Sequence, residues 1–212
     1  MSVPTRGRDV FAACAPISPH SLADYDRWVA LLAKWNAKIN LVAPSTLPDV
    51  WLRHALDSAQ IIPHIPADAR TIVDFGSGAG FPGLAIAIEA KQDPARDQHI
   101  HLIESAGKKA SFMRTVIREL SLPATVHGER IEAMDPLGAD VVTARAFAPL
   151  TRLLPMADHH LREGGRLVLL KGEDISSEEG DVDKSWTYQR QTAPSLSDET
   201  GVIITLTDLR RR

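Results

Sequence analysis

The stretch Asp74-Phe-Gly76-Ser-Gly78-Ala-Gly80-Phe81-Pro-Gly83 carries the most chemistry in this chain. It follows a short β-rich run, Thr71-Ile-Val-Asp-Phe75, and precedes an apolar, helix-like run from Leu84 to Ala90. Open α/β sheets bind ligands beyond the carboxyl ends of their strands, where such a loop lies. Glycine tolerates positive φ and has no Cβ, so the backbone can approach a ligand closely. The spacing excludes a dinucleotide fingerprint, G-x-G-x-x-G/A, because position 81 is Phe and the third glycine comes one residue early. Glu104 ends the next strand candidate, His99 to Ile103, and a carboxylate there can accept hydrogen bonds from both hydroxyls of a ribose. It lies 24 residues after Gly80, beyond the usual ~20; the polar run Lys91 to Gln98 reads as a surface insertion that accounts for the excess.

The G-x-G-x-G spacing resembles the nucleoside-binding loop of Rossmann-like S-adenosylmethionine methyltransferases. Asp74 would then order the loop or meet the cofactor's amino group. Methyl transfer from a sulfonium is an in-line displacement that chiefly requires alignment. The acceptor decides whether a base is needed. The fourth strand candidate ends in Thr143-Ala-Arg145-Ala-Phe147-Ala-Pro149, not in the Asn/Asp-Pro-Pro-aromatic motif of amino-methylating enzymes. Cys14 stands far before the sheet and is a poor candidate for the nucleophile of pyrimidine C5 methylation. A ring nitrogen with a free lone pair, such as guanine N7, fits best: no proton has to leave, so no catalytic acid or base is expected. Arg145 and Lys171, both at strand ends, are the expected positioning residues. The eight histidines include no pair at helical metal spacing with a Glu between, and no metal site is expected.

The elements that must position these residues follow from patterning. Ser18-Pro19 reads as a helix start, and Leu22, Tyr25, Trp28, Val29, Leu32, Trp35 and Ile39 recur at helical steps until Pro44. A second helix is expected from Pro48 to about Ile62. Lys108 to Leu120 and Leu150 to Leu161 read as helices; Ala124 to His127, Asp140 to Thr143, Arg166 to Leu170, Trp186 to Gln191 and Val202 to Thr207 read as strands. Five βα-type units followed by a hairpin predict an α/β, Rossmann-like fold: a seven-stranded, mostly parallel sheet with only the last strand antiparallel. The acidic stretch Glu173 to Asp183 reads as a mobile loop. Residues 1–66 are expected to form an N-terminal arm and helical cap, and residues 67–212 the core.

Composition sets outer bounds. With 212 residues, 44% apolar and 24% charged, the chain can bury one core and is not expected to be disordered. One Cys excludes a disulfide scaffold, and a net charge of -3 argues against a uniformly basic nucleic-acid coat without excluding a local basic patch. No apolar run is long enough to span a membrane. Arg6 and Arg8 precede Phe11-Ala-Ala-Cys14, but only six apolar residues separate Asp9 from Pro16, too few for a signal peptide. A ragged, cytosolic N-terminus and a cytoplasmic protein are the expectations.

Seven motifs in order resemble the RsmG (GidB) family, methyltransferases that act on guanine N7 of 16S ribosomal RNA. They are Trp35-Asn36 to Asn40-Leu41, Arg53-His54-Ala-Leu-Asp57-Ser58, Asp74 to Gly83, Glu104-Ser105-Ala-Gly107-Lys108-Lys109, Arg130-Ile131-Glu132, Arg145-Ala146-Phe147-Ala148 and Leu170-Lys171-Gly172. The resemblance implies S-adenosylmethionine as cofactor, with contacts at Gly76, Phe81, Ile131, Glu132 and Arg145. Asp74, Gly78, Gly80 and Glu104 join them from the reading of the loop. Glu104 stands where many members have Asp. The cap cations Lys34, Lys38, Arg53 and His54, with Lys171, suit a phosphate-bearing substrate. The expected partner is 16S ribosomal RNA or the small ribosomal subunit, met by a monomer. A small-molecule methyltransferase is the alternative; a non-catalytic nucleotide-binding or assembly module is a third reading.

Overall fold

Seven strands form one sheet in the order β3-β2-β1-β4-β5-β7-β6 in the computed structural model, which describes residues 3–145, 148–172, 180, 182 and 184–212. The strands are β1 (Thr71–Phe75), β2 (His99–Ile103), β3 (Ala124–His127), β4 (Ala139–Arg145), β5 (Leu161–Lys171), β6 (Trp186–Pro194) and β7 (Val202–Arg211). β1 to β5 pair in parallel. β7 runs antiparallel to both β5 and β6, so it alone opposes the other described strands. The order reverses between β1 and β4, and this places the ligand crevice at their carboxyl ends, beside Phe75 and Arg145.

Alternation along the strands divides the core into two layers. Ile72, Ile100, Leu102, Val141 and Val168 face one apolar cluster; Val73, Phe75, Val142, Leu167 and Leu169 face the other. The first layer holds α4 (Gly83–Gln92) and α5 (Gly107–Leu120), and the second holds α6 (Leu150–His160). Apart from Glu89, α4 is buried from Gly83 to Ala90. Its sequence is apolar on all sides because a second layer of helices covers it. That layer is α2 (Leu22–Asn36), whose Tyr25 hydroxyl donates to the Ala85 carbonyl at 3.4 Å. The N-terminal helices have no separate core, since Phe11, Trp28 and Trp51 belong to the same cluster as Leu84 and Ile100.

Two expectations need correction. The N-terminus is not ragged: α1 (Arg8–Cys14) buries Phe11 completely, with its ring 4.8 Å from Tyr25 and 5.2 Å from Trp51. Arg8 is tied to Asp26, and Trp51 Nε1 donates to the Pro4 carbonyl at 2.8 Å. The second helix is not regular. A turn at Leu47–Asp49 leads to a wide π-type stretch, Trp51–Leu56, which continues as the short α3, Asp57–Ala59. Such insertions recur at functional sites; this one carries Arg53 and His54 and hands on to Asp57, the first residue of α3. The segment Glu173 to Asp183 lies outside the described residues except Gly180 and Val182, and so do Ala146 and Phe147.

Candidate active site at the carboxyl ends of the central strands

Strand register builds the glycine loop. Asp74 on β1 pairs with Thr143 on β4, and the Thr143 hydroxyl donates to Asp74 Oδ1 at 2.9 Å. Asp74 Oδ2 accepts the Gly83 amide at 3.1 Å, closing the loop onto the start of α4. Burial pushes the Asp74 carboxyl up to about 6, against these hydrogen bonds. Fully buried and bonded on both oxygens, Asp74 orders the loop and does not line a cavity. Gly78 has φ 59°, and a Cβ there would meet only the Gly76 carbonyl, 3.8 Å away. Gly80, at φ 92°, does the opposite: a Cβ there would fall 2.2 Å from Leu84 Cδ1. The first glycine opens the loop to space and the second lets it pack on α4.

One cavity of about 320 Å³ lies beside the start of this loop, lined by Gly76, Ile103, Glu104, Ile131, Glu132 and Arg145 among others, whereas Gly78 and Gly80 do not line it. Glu104 Oε2 accepts the Gly78 amide at 3.0 Å, and Oε1 accepts the Ala106 amide at 2.7 Å. The turn at Ile131–Ala133 is braced from α6, where His160 Nε2 sits 3.3 Å from the Ile131 carbonyl. Glu132 faces Arg152 at 3.7 Å, with both side chains largely in solvent. Phe81, 4% exposed, does not line the cavity as a cofactor contact would. Its ring turns into the cap, 5.1 Å from Trp28, and stacks on His54 at 4.9 Å.

A second cavity of about 450 Å³ lies between the cap and the C-terminal hairpin. Arg53, His54, Asp57, Arg145 and Lys171 line it, together with the turn from Ser195 to Gly201 that joins β6 to β7. Lys171 Nζ donates to the Ala148 carbonyl at 3.5 Å. The structure places three of the expected cations as follows. His54 is pushed down to about 4 by burial, with Arg145 and Arg53 adding repulsion, so the ring is neutral at neutral pH. Its Nε2 lies 3.0 Å from Thr46 Oγ1. Lys34 and Lys38 are exposed and line neither cavity, because the buried side of α2 faces α4 and α5.

Arg145 belongs to both cavities. Its guanidinium lies 4.8 Å over the Phe81 ring, and Nη1 is 3.0 Å from Asp57 Oδ2. The same nitrogen is 3.4 Å from the Arg53 carbonyl and 3.3 Å from His54 Nδ1. The part played by Asp57 and by the turn at Ser195, Ser197 and Asp198 was not expected. One signal for Asp57 is present, four residues after Arg53 and therefore near it on a helical face. The turn has only its Ser/Asp/Gly content, which marks a turn and not a site.

Comparison with known proteins decides the family. The family model "GidB: rRNA small subunit methyltransferase G" matches residues 21–201. The chain belongs to this family. A "Ribosomal RNA small subunit methyltransferase G" from Paramagnetospirillum magneticum is 46% identical over 195 residues, covering 92% of each chain. One of the same name from Hyphomonas neptunium is 42% identical over 205 residues, 97% of this chain and 96% of the other. The fold is shared with a methyltransferase from Geobacter sulfurreducens, at TM-score 0.60 and 10% identity over 94% of this chain and 95% of the other. It is also shared with M. jannaschii TYW2 solved in complex with AdoMet, at TM-score 0.56 and 13% identity over 83% of this chain and 80% of the other.

For a GidB-family chain, this geometry offers two adjoining chambers at the sheet's switch point with one guanidinium on their common wall. Among the described residues, no group of three or more His, Cys, Asp or Glu side chains is placed to hold a metal ion, and no helix is long and apolar enough to cross a membrane.

Proposed function

We propose that this protein transfers a methyl group from S-adenosylmethionine to N7 of a guanine in small-subunit, 16S ribosomal RNA. The observation that carries this reading is the pair of cavities meeting at Arg145. The cavity beside Gly76 would take the cofactor: Glu104 stands on its wall at the end of β2 with its carboxylate against the loop, and next to Gly76 the Gly78 backbone has room above it. Glu104 would hold the ribose hydroxyls, Gly76 the approach of the backbone, and Ile131 with Glu132 the adenine. Bound there, the cofactor supplies a sulfonium methyl group, whose transfer to a lone pair needs alignment and no proton removal. Asp74 serves indirectly, by holding the loop in shape through Gly83 and Thr143.

The second cavity would take the acceptor nucleotide. Arg53 and Lys171 supply positive charge for the RNA backbone, and His54, neutral, supplies a flat wall. No side chain is assigned as an acid or base. The small-molecule alternative calls for an apolar, enclosed acceptor chamber, whereas this one is open and lined by Arg53, Asp57, Lys171 and Asp198. A ribosomal substrate places the enzyme in the cytoplasm, where it would act as a monomer. The test is labelled-methyl transfer to small subunits and to stripped 16S RNA, followed by mapping of N7-methylguanosine with and without this gene. No label in RNA, or label at another atom, overturns the reading.

A further inference from the structure

Asp57 has no part in the reaction as proposed, yet its carboxylate joins two otherwise separate pieces of the site. Oδ2 lies 3.0 Å from Arg145 Nη1. Oδ1 accepts from Ser197 Oγ at 2.7 Å and from Gln60 Nε2 at 2.9 Å. Gln60 is 2% exposed, and its own carbonyl accepts the Leu196 amide at 2.6 Å. The turn between β6 and β7 is thus fastened to the helical cap through Gln60 and Asp57, across 136 and 140 residues of chain. That same turn walls the acceptor cavity.

We infer that Asp57 is a positioning residue that sets the Arg145 guanidinium on the wall between the two cavities and ties that setting to the turn lining the acceptor side. The geometry has a clear division of labour. The guanidinium carbon lies 4.8 Å over the Phe81 ring, and at one edge Nη1 meets Asp57 with the ionic contact and the Arg53 carbonyl and His54 Nδ1 with neutral ones. Among the described residues, the polar contacts of Arg145 all run through Nη1, so Nη2 and Nε remain for ligands. The pair is about four-fifths shielded, with side-chain exposures of 22% and 20%, so solvent and salt weaken it less than a surface pair. An acceptor that displaces the turn would shift the Ser197 and Asp57 contacts, and with them the guanidinium. Acceptor and cofactor affinities would then be linked, each changing the other by the same factor.

The inference rests on Arg145 serving the cofactor cavity, as proposed above, and a double-mutant cycle in cofactor affinity tests it without RNA. Calorimetry with S-adenosylmethionine would be run on the full chain, Arg145→Ala, Asp57→Asn and the double variant. We expect Arg145→Ala to weaken binding about tenfold and Asp57→Asn about threefold, with the double variant no weaker than Arg145→Ala alone. Multiplying effects would show that Asp57 acts only on the fold and would overturn the inference. Unchanged affinity in Arg145→Ala would overturn it together with the cofactor role of that residue. Failure of the unmodified protein to bind would instead overturn the proposed function. Should Asp57→Asn melt early, Ser197→Ala carries the same cycle: it removes one hydrogen bond of Asp57 and leaves the ion pair in place. A small loss that disappears in the Arg145→Ala background supports the link, and an equal loss in both backgrounds overturns it.

Discussion

The Gly78 amide donates a 3.0 Å hydrogen bond to Glu104 Oε2, linking the glycine loop after β1 to the carboxylate at the end of β2. The carboxylate braces the loop, and in the proposed function it also receives the ribose. Glu104→Ala removes both, and charged hydrogen bonds contribute ~1.5–3 kcal/mol each. We expect cofactor affinity to fall by at least about tenfold, with a smaller loss in Glu104→Asp, whose shorter side chain retains the charge. Calorimetry on both variants checks this; equal affinity in all three proteins would place the ribose elsewhere.

Glycines at 78 and 80 separate binding from folding. Both have positive φ, but only Gly80 lacks room for a Cβ. Gly80→Ala should destabilise the protein by about 2–4 kcal/mol, combining overpacking against Leu84 with backbone strain. Gly78→Val should keep more of its stability and lose cofactor binding, because its side chain enters the space over the loop. Urea unfolding and cofactor titration of the two variants give the comparison, and the reverse pattern would refute it.

Half-buried His54 and fully buried Asp74 give opposite pH dependences. His54 is held down at about 4 against an ordinary 6.5, so the unfolded chain binds the extra proton and stability falls as pH drops from 6.5 towards 4. Asp74 is raised from 3.8 to about 6, so the folded chain binds the extra proton and stability falls as pH rises over nearly the same interval. His54→Gln should remove the first slope and leave the second. Relative to the parent, the variant gains about 1–3 kcal/mol between pH 6.5 and 4, and the difference stays constant above pH 7. Denaturant midpoints across pH 4–8 measure it; parallel curves would mean that His54 titrates normally.

Arg145 and Lys171 should part company kinetically. Lys171 lines only the cavity proposed for the acceptor, whereas Arg145 lines both cavities. Lys171→Ala is expected to lower the methylation rate through RNA placement while cofactor affinity stays within about twofold. Arg145→Ala should weaken cofactor and RNA binding together. Single-turnover rates across pH complete the test, since a pH-dependent step lost in either variant would reveal an acid or base at this site.

The local signals were legible in the chain itself. Short β-rich runs located each of the seven described strands, although β5 begins at Leu161, five residues before the expected Arg166, and the loop spacing with Phe81 in place of a third-position glycine separated this site from a dinucleotide site. These features are read within about ten residues, over which periodicity and backbone sterics act. What the tertiary structure decided depends on burial and on contacts between distant segments. Phe11 is the one aromatic in a seven-residue helix whose Val10 is exposed, and the rings of Tyr25 and Trp51 close around it to bring that helix into the core. His54 appears as a cation beside Arg53, yet the fold stacks it on Phe81 and removes its charge. Gln60 and Ser195 are separated by 135 residues and meet at 3.1 Å, a contact that no local pattern encodes. Local sterics and period act along the chain, whereas desolvation, charge and long-range hydrogen bonds exist only once the chain has folded back on itself.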